Sequence, residues 1–153
     1  MNEGREREEF VMIKYPLEFN VKAQSKSGIE ALWEVKANEV DVKCSIPNEF
    51  NGPGGGASPE DFYIMALVNC FIATFKVLAQ NSKLEFDSIE GAGNLIVDRN
   101  DSGVPWMAKA NLNFQLKGAK DKDRAKRLLE KTQNASMILN SVKSELNFKF
   151  ELN

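Results

Sequence analysis

The sequence predicts an α+β protein in which antiparallel sheets pack around one long central helix. Segments with an apolar residue at every second position, the pattern of half-buried strands, occur in both halves of the chain. One long and largely uncharged segment near the middle begins with helix-start signals. Strands and helices do not alternate strictly and the sequence has no internal repeat, which argues against a parallel α/β sheet and against a repeat architecture.

Length and charge limit the organisation of the chain and its partners. With 153 residues, 42% of them hydrophobic, the chain has the size of one domain, residues 1–153, with its own core. Residues 1–10, MNEGREREEF, are mostly charged and are predicted to form a solvated, flexible tail. The formal net charge of -2 offers no excess of positive charge to a phosphate backbone or an anionic bilayer. We therefore expect neither nucleic acid nor membrane as a partner.

Three strands are predicted in the first third of the chain, as a meander joined by short turns. Each has apolar residues at alternate positions: Leu17, Phe19, Val21 and Ala23, then Ala31, Trp33, Val35 and Ala37, then Val40, Val42, Cys44 and Ile46. The stretch PNEFNGPGGGASP follows, and its glycines and prolines predict a flexible loop.

A long helix is predicted directly after this loop. Ser58 suits the N-cap, Pro59 the first helical position, and Asp61 the acid of a capping box. From Phe62 to about Gln80 apolar residues occupy nearly every face, which indicates a helix surrounded by protein, either by sheets on more than one side or by a second subunit. Its charge-free run, 62–75, is shorter than a bilayer-spanning helix.

The second half of the chain predicts a hairpin, a surface helix, a short helical turn and a closing strand. The hairpin is formed by SIEGAGNLIVD and VPWMAKANLNFQLKG, joined by the turn RNDSG. KDKDRAKRLLEKTQ has a narrow apolar stripe among charges, as surface helices do. SMILNSVK predicts the helical turn, and LNFKFEL, which alternates throughout, predicts the last strand.

The residue types that are missing restrict the chemistry. Without histidine the chain has no imidazole general base, no Ser-His or Cys-His pair and almost no ordinary zinc site, so neither a metal nor a cofactor is expected. The two cysteines, Cys44 and Cys70, form no CxxC motif, which argues against a disulfide scaffold and favours a reducing, cytoplasmic setting. The glycine cluster lacks the Lys-Ser/Thr of a phosphate loop. Any reaction would use a thiol, carboxylate, lysine, arginine or tyrosine.

Cys70 lies on a helix stripe that contains polar atoms. Residues at spacings of three and four share a face, and this stripe comprises Tyr63, Leu67, Cys70, Thr74 and Val77. Polar groups in an apolar helix indicate a pocket or a hydrogen-bonded junction. On residue type alone, inert packing is the favoured interpretation of Cys70, and more strongly of Cys44 on its apolar strand face. A redox pair of Cys44 and Cys70 requires the strand to pack over the helix.

The stretch GGGASPEDFYIMALVNCF closely resembles the signature of the OsmC/Ohr family. The resemblance covers a glycine-rich loop, Ser58-Pro59-Glu60 at a helix start, and a cysteine ten residues after that glutamate. It implies an intertwined homodimer with long helices between sheets, and thiol-dependent reduction of organic hydroperoxides. In that mechanism Cys70 matches the nucleophile, Glu60 the orienting acid, and Ser136 the position of the second, resolving cysteine.

Two departures from the family pattern leave the activity open. Ser136 cannot form a disulfide, so turnover would need an external thiol or Cys44 as resolving partner. The family's activating arginine lies in the amino-terminal strands, where this chain has no arginine and where Lys22 or Lys26 could take its place. One hypothesis is therefore a peroxidase with a single active cysteine, acting on bulky organic hydroperoxides. The other is a non-catalytic protein that binds an apolar small molecule, with lining drawn from Phe62, Tyr63, Phe71 and Trp106. A purely structural dimer is the third reading.

Overall fold

A computed structural model describes residues 13–153 and contains six strands and two α-helices. The elements follow in the order β1 (Val21–Gln24), β2 (Trp33–Ala37), β3 (Val40–Cys44), α1 (Pro59–Asn81), β4 (Ser88–Arg99), β5 (Pro105–Lys117), α2 (Lys122–Ala135) and β6 (Glu145–Leu152). Short 3-10 turns occur at Asn48–Phe50 and Leu139–Ser141. The predicted order of elements is confirmed from β1 onward. The predicted tail, 1–10, lies outside the described residues.

The strands form two separate three-stranded sheets. The first sheet has the order β1-β2-β3 and is antiparallel throughout. In the second sheet, β4-β5-β6, the β4–β5 hairpin is antiparallel but β6 runs parallel to β5, so the expectation of purely antiparallel sheets is wrong for this one pair. A parallel neighbour requires a crossover connection, and α2 with the turn after it provides one. The α+β class with two sheets and a long helix is confirmed.

The glycine-rich loop is held firmly against the end of β3. Backbone hydrogen bonds run from Ala57 to Lys43, from Ser45 to Ala57 and from Gly54 to Ile46. A Cβ at Gly52 would lie 2.1 Å from the Ile46 carbonyl oxygen, and one at Gly56 would lie 2.8 Å from the Cys44 backbone. Gly52 and Gly56 are therefore needed for close packing, and these backbone contacts contradict a loop that is flexible along its whole length.

The start of α1 is capped as the sequence predicts. The Ser58 hydroxyl accepts a hydrogen bond from the Asp61 amide at 3.0 Å, and the Asp61 carboxylate accepts one from the Ser58 amide at 2.9 Å. The rigid loop and the reciprocal cap together fix where α1 begins. They therefore fix the positions of Glu60 and Cys70 relative to the first sheet.

The core lies between α1, α2 and the inner face of the second sheet. On α1 the fully buried residues are Leu67, Phe71, Phe75 and Ala79. The alternating set on β5, Ala110, Leu112, Phe114 and Leu116, is buried, as is the predicted stripe of α2, Ala125, Leu128, Leu129 and Thr132. Phe71 stacks on Phe114 with ring centroids 3.8 Å apart. These alternation and stripe patterns are confirmed.

The amino-terminal sheet is largely exposed in the single chain. The predicted first strand was to be half-buried from Leu17 to Ala23, but β1 covers only Val21–Gln24, and all four of its residues are exposed. Phe19, before the strand, is 84% exposed. Among the described residues, this sheet makes no extensive contact with α1. The prediction of burial therefore fails for these residues, because no part of residues 13–153 covers the apolar side.

Helix α1 is buried on one face only. Met65 and Val77 are 49% and 58% exposed, and Phe62 is half-buried, so the single chain does not surround the helix as its composition predicts. By length and composition α1 could cross a membrane. The expectation that it is too short to do so, which was based on its charge-free run, is therefore wrong. Only 22% of its most apolar window is buried. Core helices of other proteins meet the same criteria, and α1 packs on α2 and β4.

Candidate functional site

Cys70 lies in the middle of α1, at the border between its buried and its exposed face. The thiol is free and half-buried. One helical turn away in each direction lie Ala66, Ala73 and Thr74, and the neighbouring Leu67 is fully buried. The cysteine is therefore next to small and apolar side chains on a surface that the single chain leaves partly open.

Glu60 lies in the first turn of the same helix and has an unsatisfied oxygen. Its Oε2 is buried and has no hydrogen-bond partner among the described residues. Leaving a buried carboxylate oxygen unpaired costs at least about 1–3 kcal/mol. Glu60 Oε2 therefore needs a hydrogen-bond donor, and a positively charged donor would form the strongest hydrogen bond with it.

The surroundings of Glu60 form an acidic hollow of about 630 Å³. Its lining includes Glu49, Glu60 and Asp61, with Phe50 and Val97 among the apolar members and no basic residue among the described lining. Asp61 is already occupied by the cap at Ser58, whereas Glu49 is exposed. Glu49 was not identified from the sequence, because an acid in a short exposed turn has no distinguishing pattern.

Glu60 and Cys70 of one chain cannot touch each other. They are ten positions apart on a continuous helix, and a rise of about 1.5 Å per residue separates their backbones by about 15 Å along the axis. Glutamate and cysteine side chains together are too short to bridge that distance. The structure therefore places both predicted residues on one helix but does not bring them together.

Tyr63 has a structural role. Its hydroxyl lies 2.6 Å from the Ser144 hydroxyl, which in turn donates a hydrogen bond to the Met107 carbonyl. This chain of contacts ties α1 to β5 and to the segment before β6. Of the two readings of the polar stripe, the hydrogen-bonded junction is the one that holds for Tyr63.

Cys44 is enclosed at the end of β3. It is 1% exposed, its thiol donates to the Val42 carbonyl at 3.3 Å, and its backbone pairs with Ala57 of the glycine-rich loop. Both cysteines are free thiols. These contacts favour the inert-packing interpretation of Cys44 over a role as resolving partner.

Ser136 terminates α2 and is fully buried. Its hydroxyl donates to the Thr132 carbonyl at 2.7 Å, which satisfies one of the last carbonyl groups of the helix. The hydroxyl at the position of the second cysteine is thus engaged in the helix end.

The two candidate lysines belong to the first sheet. Lys22 lies on β1 and Lys26 in the turn that follows it, and both are exposed. Lys26 lines a surface hollow together with Trp33, Glu34 and Lys43. Among the described residues neither lysine forms an ion pair.

Of the predicted pocket-lining aromatics, Phe62 lines an apolar hollow. A hollow of about 580 Å³ runs along the exposed side of α1, bounded by Phe62, Ile64, Met65, Ala66, Val68, Asn69, Ile72 and Gly93. Phe71 belongs to the core, and Trp106 is 38% exposed on the β4–β5 hairpin. The pocket interpretation is therefore wrong for Phe71.

Comparison with known proteins gives a consistent result. Residues 52–151 match a family model that is described as OsmC-like protein. An organic hydroperoxide resistance protein of Xanthomonas axonopodis pv. citri is 31% identical over 106 residues, which cover 61% of this chain and 75% of that protein. An uncharacterised protein of Acinetobacter baylyi is 24% identical over 137 residues, 88% of this chain and 92% of the relative.

Solved structures share the fold. An OsmC-like protein of unknown function from Vibrio cholerae superposes with a TM-score of 0.79 at 14% identity, covering 88% of this chain and 99% of the other. The organic hydroperoxide resistance protein OhrB of Bacillus subtilis gives a TM-score of 0.65 at 19% identity, covering 88% and 98%. At these identities the likeness concerns the fold alone.

Proposed function

Because the chain belongs to the OsmC-like protein family, we propose that it reduces organic hydroperoxides with Cys70 as its single nucleophile. The observation that carries the proposal is the placement of a free, half-buried thiol on an apolar helix, ten residues after an acid whose buried oxygen lacks a partner. The name of the Xanthomonas relative, an organic hydroperoxide resistance protein, supports the substrate class.

The proposed active form is a homodimer. Since Glu60 and Cys70 of one chain are about 15 Å apart along α1, one site can use both only if two helices contribute. A two-fold axis that sets two α1 helices antiparallel would bring Glu60 of one copy towards Cys70 of the other. The exposed apolar side of α1, with Met65 and Val77, is available for such a contact.

A lysine is the proposed activating cation. A peroxidatic cysteine needs a positive neighbour that stabilises its thiolate, and the acidic hollow at Glu60 has no basic residue among its described lining. Lys22 and Lys26 on the exposed first sheet are the candidates, and a second copy would supply them. An ammonium group provides one point charge and lacks the paired donors of a guanidinium, so we expect weaker activation than an arginine gives.

The proposed reaction uses an external thiol. The Cys70 thiolate attacks the O–O bond and takes up the terminal oxygen, the organic alkoxide leaves and is protonated to the alcohol, and the cysteine becomes a sulfenic acid. A small thiol then attacks this sulfur and releases water, forming a mixed disulfide. A second small thiol restores Cys70 and leaves as the oxidised small-molecule disulfide. With Cys44 enclosed and a hydroxyl at Ser136, no internal resolving thiol is available.

The test is a peroxidase assay with cumene hydroperoxide and dithiothreitol. We expect Cys70→Ser to lose at least about 1,000-fold in rate, as removal of a catalytic nucleophile does. Cys44→Ala, the matched control, should retain activity, and Glu60→Gln should lower the rate without abolishing it. After peroxide treatment without thiol, the intact mass should increase by one oxygen atom, as a sulfenic acid requires. Dimedone added to this oxidised protein should form an adduct on Cys70. Equal peroxide consumption by wild type and Cys70→Ser would refute the proposal.

The second candidate function is binding of an apolar small molecule without catalysis. The hollow of about 580 Å³ along α1 has mostly apolar lining and supports it. Native mass spectrometry of the purified protein would show a retained ligand, and Ala66→Trp, which fills this hollow, should release it. Full peroxidase activity with no retained ligand would decide for the first candidate.

A further inference from the structure

The outward face of the second sheet carries three asparagines in register. Asn94 of β4 lies opposite Asn111 of β5, which lies opposite Asn147 of β6. Asn111 donates through Nδ2 to Asn94 Oδ1 at 3.2 Å, and Asn147 donates to Asn111 Oδ1 at 3.1 Å. Successive strand residues face opposite sides and the neighbours of Asn111 are in the core, so this row faces away from α1. It is separate from the site at Cys70.

A recess of about 360 Å³ lies beside this asparagine row. Its lining includes the three asparagines together with Ala92, Asn113 and Lys149, which form the neighbouring row of the sheet. The small side chain of Ala92 leaves space that a larger residue would fill. Lys149 is 3.5 Å from the Glu151 carboxylate, so an acid next to the recess partly offsets the charge of the lysine.

Asn113 provides the observation that points to a ligand. Its Oδ1 is buried and has no hydrogen-bond partner among the described residues. In the adjacent row Asn111 and Asn147 each use one of their two amide hydrogens, and the Asn94 amide group donates to no described residue. The recess therefore offers one unsatisfied acceptor next to several free donors.

We propose that this recess binds a neutral polyhydroxylated molecule of about the size of one sugar ring. A hydroxyl group can donate to Asn113 Oδ1 once the Asn113 side chain turns towards the recess, and it can also accept from a neighbouring amide, which matches the mixed capacity of the lining. An apolar molecule would leave these amides unpaired, a cation would meet no acid in the described lining, and an anion would meet a lysine that already pairs with Glu151.

The test is a titration of the full chain with methyl α-D-glucopyranoside, followed by the side-chain amide signals in ¹H–¹⁵N spectra. We expect saturable shifts at the asparagines of the recess, with a dissociation constant of about 1–10 mM. Cyclohexanol, a ring of the same size with one hydroxyl, should produce no saturable shift.

Two variants separate binding from folding. Asn113→Leu keeps the side-chain shape but removes the unsatisfied acceptor, so it should weaken binding at least tenfold while the thermal midpoint stays equal or rises. Ala92→Val should block the recess. Glu90→Gln, on the same face but outside the recess, should bind like wild type. Absence of saturable shifts, equal binding by Asn113→Leu, or equal binding of cyclohexanol would overturn the proposal. The binding experiment includes no peroxidase assay, so its outcome is independent of the function proposed for Cys70.

Discussion

Two glycines of β4 determine how closely the central helix approaches the sheet. A Cβ at Gly93 would lie 2.8 Å from side-chain atoms of both Ile64 and Val68, and one at Gly91 would lie 2.9 Å from Val68 and Phe114. Both distances are below normal van der Waals contact. These positions therefore form the surface on which α1 is seated. The sequence pattern shows that these glycines lie within a strand. It does not show that α1 packs against them, because that contact depends on the tertiary structure.

We expect Gly93→Ala to destabilise the protein by about 1–3 kcal/mol, because the added methyl group overpacks the contact between α1 and β4. Chemical denaturation monitored by circular dichroism measures the change. Ala92→Ser, one position earlier on the exposed face, is the control and should change the stability by at most about 0.5 kcal/mol. A Gly93→Ala variant as stable as wild type would contradict the described packing.

The two thiols differ in exposure, and their reactivity should differ accordingly. Cys44 is 1% exposed, whereas Cys70 is half-buried at the edge of the apolar helix face. N-ethylmaleimide should therefore modify Cys70 first in the native protein, and Cys44 only after unfolding. Peptide mapping by mass spectrometry identifies the modified residue. Modification of Cys44 ahead of Cys70 would contradict the burial of Cys44.

At the scale of elements, local sequence signals were sufficient to predict a helix or strand and its buried face wherever contacts within one chain stabilise that element. The N-cap at Ser58, the stripe of α2 and the alternation along β5 and β6 all produce the predicted structures. The alternation at Leu17 and Phe19 did not produce a strand, because no part of the described chain pairs with or covers this segment. The parallel direction of β6 depends on the crossover, which residue periodicity does not encode.

The capping box offers a test at this scale. Ser58→Ala removes the acceptor for the Asp61 amide, and we expect a loss of about 1 kcal/mol in unfolding free energy. Ser58→Asp keeps an acceptor and should retain most of the stability. Ser25→Ala, at an exposed position, is the control. A loss in the control equal to that in Ser58→Ala would show that the cap is not the cause.

At the scale of the whole molecule, residues 13–153 leave apolar surface uncovered in two regions that matter for assembly. One is the side of α1 with Met65 and Val77, and the other is the segment with Leu17, Phe19 and Val21. Exposed apolar surface of this kind marks an interaction site. The sequence predicts cover on several sides of α1, and residues 13–153 provide that cover on one face only. For the same reason the cation of the proposed site could not be assigned from the sequence.

We expect the protein to sediment as a dimer, with twice the chain mass of 17.1 kDa. The double variant Met65→Lys and Val77→Lys should shift it to the monomer, because two charges would be buried in the apolar contact. Glu130→Lys, on the exposed side of α2, should remain dimeric. Analytical ultracentrifugation distinguishes the two states. A wild-type monomer at all concentrations would contradict the proposed assembly.

The firmly packed glycine loop also has a consequence for protein engineering. Surface connections are the usual places to insert an epitope or a fluorescent reporter. A side chain added at Gly52 would collide with Ile46, and one added at Gly56 would collide with the backbone of Cys44, so a graft that replaces either glycine should destabilise the fold. The hairpin tip at Asp101 and Ser102 is exposed and far from such constraints, and it is the better position for a reporter.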